Sequence, residues 1–248
     1  MNKIILAAAI AAAFAANFAH AEDKKPDNEF TGNVALTSDY RFRGISQSRL
    51  QPAISIGADY VNNPTGFYVG TWASSIKWTK DTINPDGSKG GGNVEIDIYA
   101  GKRGEIVKDV SYDVGILTYI YPSNRLQPSA ATTEIYGQVG YGPATIKYSH
   151  AVTNAFANPD SKNSGYLEAA ANIDIAEGTQ LNLHAGHQRI RNGAPGISYT
   201  DYKVGVTKDF GFASLSGAII GTDTSAYRSP SNKNLGRTAL VVTVSKTF

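Results

Sequence analysis

The chain has 248 residues, no cysteine and a formal net charge of +2. A nearly balanced charge carries no footprint for nucleic acid. The lack of cysteine excludes disulfide scaffolding and thiolate metal sites. No apolar run after the N-terminus approaches the roughly 20 residues of a membrane helix, yet a barrel that crosses with strands shows only every second residue to lipid and escapes that test.

Residues 1–21 read as a Sec signal peptide. Lys3 is the basic start, Ile4 to Phe18 are apolar and rich in alanine, and Ala19-His20-Ala21 is a small-x-small cleavage site followed by Glu22-Asp23-Lys24-Lys25. Cleavage is expected between Ala21 and Glu22, because the apolar run is too short for an anchor and the small residues stand where the peptidase needs them. Losing Lys3 with the leader lowers the net charge by one.

From residue 30 onward the chain alternates apolar and polar residues with period two, the signature of half-buried strands. The first segment sets Phe30, Gly32, Val34, Leu36, Ser38, Tyr40 and Phe42 on one face, against Thr31, Asn33, Ala35, Thr37, Asp39, Arg41 and Arg43 on the other. Eleven more segments follow, over 53–61, 66–78, 93–102, 109–121, 132–141, 144–153, 165–175, 179–189, 198–207, 212–221 and 238–248. In the fourth, Val94, Ile96, Ile98 and Ala100 oppose Glu95, Asp97 and Tyr99. In the last, Leu240, Val242 and Val244 oppose Val241, Thr243 and Ser245. The third and eleventh segments are apolar on both faces, so their phase stays open: either Phe67/Val69/Ala73 or Tyr68/Trp72/Ile76 could point outward on the third. Most lengths match the about 9–11 residues of a transmembrane strand.

Connectors alternate long and short. The long ones are Ile45–Gln51, Thr79–Gly92, Pro122–Ala131, Thr153–Ser164, Arg191–Gly196 and Thr222–Arg237; the short ones are Asn62–Thr65, Arg103–Lys108, Gly142–Pro143, Ala176–Gly178 and Lys208–Gly211. Outer-membrane barrels with both termini in the periplasm have short turns at one end and longer loops at the other. The Gly90-Gly91-Gly92 run lacks the Lys-Ser/Thr partner and following helix of a nucleotide loop, and reads as a loop tip. Aromatic residues fall near strand ends. Phe30, Tyr60, Tyr112, Tyr141, Phe212 and Phe248 fit a periplasmic girdle, and Tyr40, Phe42 and Trp78 an outer one.

Backbone groups in lipid must all be paired, so such strands are expected to close into an up-and-down antiparallel transmembrane β-barrel of about twelve strands, the first pairing with the last. The layout is then a leader over 1–21, a short periplasmic segment over 22–29, and the barrel over 30–248. Phe248, preceded at alternate positions by Val244, Val242 and Leu240, is the expected signal to the barrel assembly machinery. Lys246 departs from the apolar pattern but can snorkel near the periplasmic end.

The segment Gly32-Asn33-Val34-Ala35-Leu36-Thr37-Ser38-Asp39-Tyr40-Arg41-Phe42-Arg43-Gly44-Ile45-Ser46-Gln47-Ser48 resembles the opening of the TorF family of porin-like outer-membrane proteins, of Gcw_chp type. Gln51-Pro52-Ala53-Ile54 and Ser245-Lys246-Thr247-Phe248 are similar to that family as well. The resemblance implies a porin of undetermined substrate and carries over no catalytic residue.

The expected lumen face holds nine acids, Asp39, Asp59, Glu95, Asp97, Asp113, Glu134, Glu168, Asp174 and Asp201, and four bases, Arg41, Arg43, Lys147 and Lys203. That balance favours cations, or else a salt-bridged and partly plugged interior. Arg41 and Arg43 either form a constriction or pair with Asp59 or Asp39 to fix the strand stagger. Twelve strands lie between barrels filled by side chains and wide aqueous pores, so a narrow channel for small hydrophilic solutes is expected. An adhesion or structural barrel acting through its long loops is the alternative, and a lipid-modifying outer-membrane enzyme a further one. The enzyme reading is disfavoured because Ser149 and His150 are adjacent on a strand and must face opposite ways, while His184 and Asn182 share a face without a serine. No cofactor or metal is expected. The expected partners are membrane lipid and lipopolysaccharide, the assembly machinery and the solute. The pattern fixes no oligomeric state.

Overall fold

The computed structural model describes residues 26–248. The leader, its Ala21–Glu22 junction and residues 22–25 lie outside the described residues. Asn28 already pairs in the first strand, so among the described residues of the expected N-terminal segment Pro26 and Asp27 precede the barrel.

The strands are β1 (Asn28–Thr37), β2 (Arg41–Phe42), β3 (Ile45–Ser46), β4 (Ala53–Asn62), β5 (Phe67–Ser75), β6 (Val94–Val107), β7 (Val110–Ile120), β8 (Thr132–Tyr141), β9 (Ala144–Ala151), β10 (Gly165–Ala176), β11 (Thr179–Arg189), β12 (Tyr199–Asp209), β13 (Ser214–Thr222) and β14 (Ala239–Thr247). A single-turn helix, α1 (Trp78–Asp81), follows β5. Twelve strands, all but β2 and β3, form one closed barrel of neighbours in chain order. The barrel closes where β1 pairs antiparallel with β14, Asn33 opposite Thr247 through Thr37 opposite Thr243. The Phe248 N–H donates to Gly32 O at 2.8 Å, so pairing runs to the last residue. Both described termini lie at the short-turn end.

Period two sorts the wall. Leu36, Ile56, Ile98, Ile135, Val204 and Leu240 are exposed on the outer surface, while their neighbours Ala35, Ser55, Asp97, Glu134 and Val241 are buried inside. A surface that is apolar all round is costly in water and suited to lipid. The third expected segment points Phe67 and Val69 outward and buries Tyr68, Trp72 and Ile76; on the eleventh, Leu215 and Ile219 point outward. The β6–β7 ladder continues past the expected turn to Val107 opposite Val110, with a register shift after Glu105, so the connector is Lys108-Asp109 rather than Arg103–Lys108. Asp109 takes a positive φ there, which an aspartate tolerates in a tight turn.

The first strand differs most from expectation. Alternation runs to Arg43, but β1 ends at Thr37. Residues after Ser38 turn inward, and β2 and β3 form a small hairpin of their own. Tyr40, Phe42 and Trp78 therefore form no outer girdle. They pack against a buried cluster of Ile76, Leu117, Tyr119, Tyr121, Leu126 and Ala130 within the long-loop end. At the short-turn end Phe30, Tyr141, Phe212 and Phe248 stay exposed as expected.

Candidate functional site in the barrel lumen

The inward hairpin is built locally. Arg43 and Gly44 are its two turn residues, with φ of 46° and 80°, the left-handed pair that a two-residue hairpin needs. A side chain at Gly44 would put Cβ 2.6 Å from Thr222 Cγ2 and 2.7 Å from Asp201 Cβ, so the turn sits hard against β12 and β13. Asp39 closes the base. Its carboxylate accepts from Ser46 Oγ at 2.5 Å, Ser48 Oγ at 3.2 Å and Arg41 Nε at 2.8 Å.

The two arginines pin the hairpin across the barrel. Arg41 Nη1 donates to the carbonyls of Gly44, Ile220 and Arg237 at 3.3, 3.1 and 2.7 Å. Arg43 reaches the opposite wall and forks onto Glu134 on β8, at 3.0 and 2.6 Å, and onto Gln188 Oε1 on β11 at 2.6 Å. Its guanidinium lies over the rings of Tyr166 and Phe42, at 4.2 and 4.7 Å. Phe42 packs edge-on against Tyr119 and Phe156, each at 5.3 Å. Ile45 joins Tyr199 and Leu235 in a second buried cluster. At the hairpin's outer base Arg49 forks onto Asp81, with Nε 2.7 Å from Oδ2. The hairpin is thus a plug tied to most sides of the wall.

Below and beside the plug, tyrosines bond most of the inward acids. Tyr99 donates to Asp59 at 2.5 Å, Tyr68 to Asp113 at 2.6 Å, and Tyr40 to Glu95 at 2.7 Å. Tyr68 and Tyr136 also touch hydroxyl to hydroxyl. On the far wall Tyr166 donates to Asp201 at 2.7 Å, and His184 Nε2 is 2.8 Å from the other Asp201 oxygen. His184 Nδ1 lies 3.4 Å from Glu168. Lys147 stands over the Tyr136 ring at 4.3 Å, beside Glu168 in the register. Lys203 stands beside His184 in the same way.

The thirteen expected lumen residues therefore divide into three groups. Asp39, Arg41 and Arg43 face the interior from the plug rather than from a barrel strand. Asp59, Glu95, Asp97, Asp113, Glu134, Lys147, Glu168, Asp201 and Lys203 line the wall. Asp174 is exposed at the short-turn rim, where it accepts from Gln180 at 2.8 Å. Of the expected partners for the arginines, Asp39 takes Arg41. Asp59 instead accepts from Tyr99, and Glu134, which had not been paired with either, takes Arg43. The sequence does not mark the tyrosines and Gln188 as a set. Their signal is parity alone: Tyr99, Tyr136 and Tyr166 each stand two residues from an inward acid. Ser149 is buried inside while His150 meets Asn163 at 3.2 Å on the outer side, as adjacent strand residues must.

A family model described as "Bacterial protein of unknown function (Gcw_chp)" matches residues 20–248. The chain belongs to the Gcw_chp family. That description names no porin. No curated protein matches this Gcw_chp chain. Among solved structures, one described as "Unveiling the Mechanism Behind the in-meso Crystallization of Membrane Proteins" is similar at a TM-score of 0.51 and 8% identity, over 88% of this chain and 83% of that one. A structure of OccAB3 from Acinetobacter baumannii has a TM-score of 0.42 at 8% identity, over 91% of this chain and 66% of that one. LpxR from Salmonella typhimurium has a TM-score of 0.40 at 9% identity, over 88% of this chain and 99% of that one. At such identities the first of these likenesses speaks for the barrel fold alone.

Proposed function

We propose that this Gcw_chp protein is an outer-membrane channel of a Gram-negative bacterium, passing small hydrophilic solutes, cations in preference, through a narrow lumen that its first long loop closes. One observation carries the reading: an arginine-pinned hairpin stands inside a barrel whose outer surface is apolar and whose inner wall is polar. A polar wall needs water or partners, and a segment held there by side-chain bonds and packing, outside the barrel's own ladder, is an element that can have two positions. The excess of inward acids over bases supports the preference for cations, and the resemblance to the TorF family supports a porin of undetermined solute. In this reading the leader is removed between Ala21 and Glu22, the termini are periplasmic, and Phe248 is read by the assembly machinery. Lipopolysaccharide surrounds the long-loop end.

The densely filled long-loop half favours a second reading, a structural or adhesive barrel whose ordered loops meet a partner. Two assays separate them. The channel reading expects the full-length gene product in the outer-membrane fraction, and liposomes holding the purified protein to swell in small sugars or amino acids. An outer-membrane location with no swelling, even after the plug is released, supports the second reading. Recovery in the soluble periplasmic fraction refutes both.

A further inference from the structure

Glu95 and Asp97 are neighbours on the inner face of β6, near its long-loop end. Their exposures are 1% and 0%. Glu95 Oε1 accepts from Tyr40. The Tyr121 hydroxyl approaches the same carboxylate without closing a hydrogen bond to Oε2. Both Asp97 oxygens and Glu95 Oε2 are buried with no donor from the protein. The plug's arginines face other carboxylates, Arg41 facing Asp39 and Arg43 facing Glu134, although Arg41 Nη2 is itself buried without a partner. Ionised carboxylates out of water need a cation or a full set of donors. This pair has neither among the described side chains.

The same neighbourhood holds two buried donors without acceptors, the indole N–H groups of Trp72 and Trp78. Trp72 stands directly across from Asp97 in the β5–β6 register, with the Tyr40 ring 5.2 Å away. Trp78 packs edge-on against Tyr121 at 5.1 Å. Unpartnered acceptors and unpartnered donors in one neighbourhood are what shared water satisfies. Carboxylate and water oxygens together are the donor set of a hard cation. Among the described residues no three acid, histidine or cysteine side chains gather as ligands, so water would fill much of the shell.

We propose that Glu95 and Asp97 bind one hydrated divalent cation of the calcium–magnesium class inside the barrel, beneath the plug. One doubly charged ion balances two carboxylates, and the indole donors hold its outer waters. Because Tyr40 ties Glu95 to the plug, the ion sits where it would brace the closed position. The site stands whether or not the barrel conducts, since binding is read without a current.

The probe is terbium, a calcium mimic that emits when nearby tryptophan is excited, and the chain's two tryptophans both flank the site. Purified full-length gene product in detergent is titrated with terbium and then back-titrated with calcium chloride. The expected result is sensitised emission that saturates at one ion per chain and is displaced by calcium. E95Q, D97N and the double variant should each weaken binding at least about tenfold. D86N, in an exposed loop, should not. The single variants keep a readout if the double one fails to fold. For the unaltered protein, calcium should raise the unfolding temperature where sodium chloride of equal ionic strength does not. Emission that never saturates, or that is unchanged in E95Q and D97N, overturns the proposal. So does an infrared carbonyl band of protonated carboxyl that E95Q or D97N removes and that persists in the unaltered protein in saturating calcium, because protons would then neutralise the pair.

Discussion

Arg43 and Glu134, 91 positions apart in the sequence, meet inside the barrel through two parallel hydrogen bonds, Nη1 to Oε1 at 3.0 Å and Nη2 to Oε2 at 2.6 Å. The fork is nearly dry, with side-chain exposures of 5% and 2%. Such a pair gains specificity from its geometry, and removing one partner strands the other charge.

Arg43→Ala and Glu134→Gln should therefore each destabilise the folded barrel or its closed plug, by about 3–5 kcal/mol if the remaining charge stays buried. The double variant should lose less than the sum of the two, because neither charge is then left alone. Urea unfolding of the three variants in detergent checks this. Strictly additive losses would mean that the pair is not coupled.

Gly44 makes a sharper test of the plug than of the wall. Valine there meets both a left-handed backbone and the side chains of Thr222 and Asp201. G44V should cost the closed hairpin roughly 1–3 kcal/mol and leave the barrel ladder intact. Protease cutting within 38–52 should speed up, while the heat-shifted gel mobility typical of a folded barrel persists. Unchanged cutting would argue that the hairpin tip is not seated on β12 and β13.

Barrel closure has a covalent test. Ala35 and Ser245 are partners across the β1–β14 seam, at the roughly 4.5–5.5 Å Cα spacing of antiparallel partners, within the reach of a disulfide. The chain has no cysteine of its own. A35C/S245C should oxidise to an intramolecular link that alters mobility on denaturing gels and reverses with reductant. A35C/V244C, one residue out of register and on opposite faces, should not.

The wall was legible in the sequence and the plug was not, for a physical reason. Alternation reports which face a residue takes, and it runs unbroken from Phe30 to Arg43. A strand that continues and a hairpin that folds inward can share it. What holds the turned-in segment is a set of side-chain bonds that alternation does not show, Asp39 to Ser46 and Ser48 and Arg41 to distant carbonyls. The phase of β5 was hidden for a related reason. Tyr68 and Trp72 look lipid-facing until Asp113, from another strand, supplies a partner for the Tyr68 hydroxyl. Parity places the lumen acids and several of the tyrosines on the inner face, but which tyrosine bonds which acid leaves no local trace, because the partners come from non-adjacent segments. Asp174 had the right parity and lies too near the rim to be enclosed.

The outer surface predicts its own sensitivity. Val204, half exposed midway along β12, faces outward between Lys203 and Gly205. V204R should cost about 2–4 kcal/mol in a bilayer. T207R, on the inner face and nearer the short-turn rim, should cost much less. Folding titrations in lipid vesicles compare the two. Equal costs would count against lipid on the outer face.

The central claim is that the first long loop closes a channel, and single-channel recording tests it most directly. Unaltered protein in a planar bilayer should be mostly silent, with rare small openings. R43A should open often and to a higher conductance, with reversal potentials in a salt gradient that favour cations. A large steady conductance in the unaltered protein, or silence in both, would contradict the account.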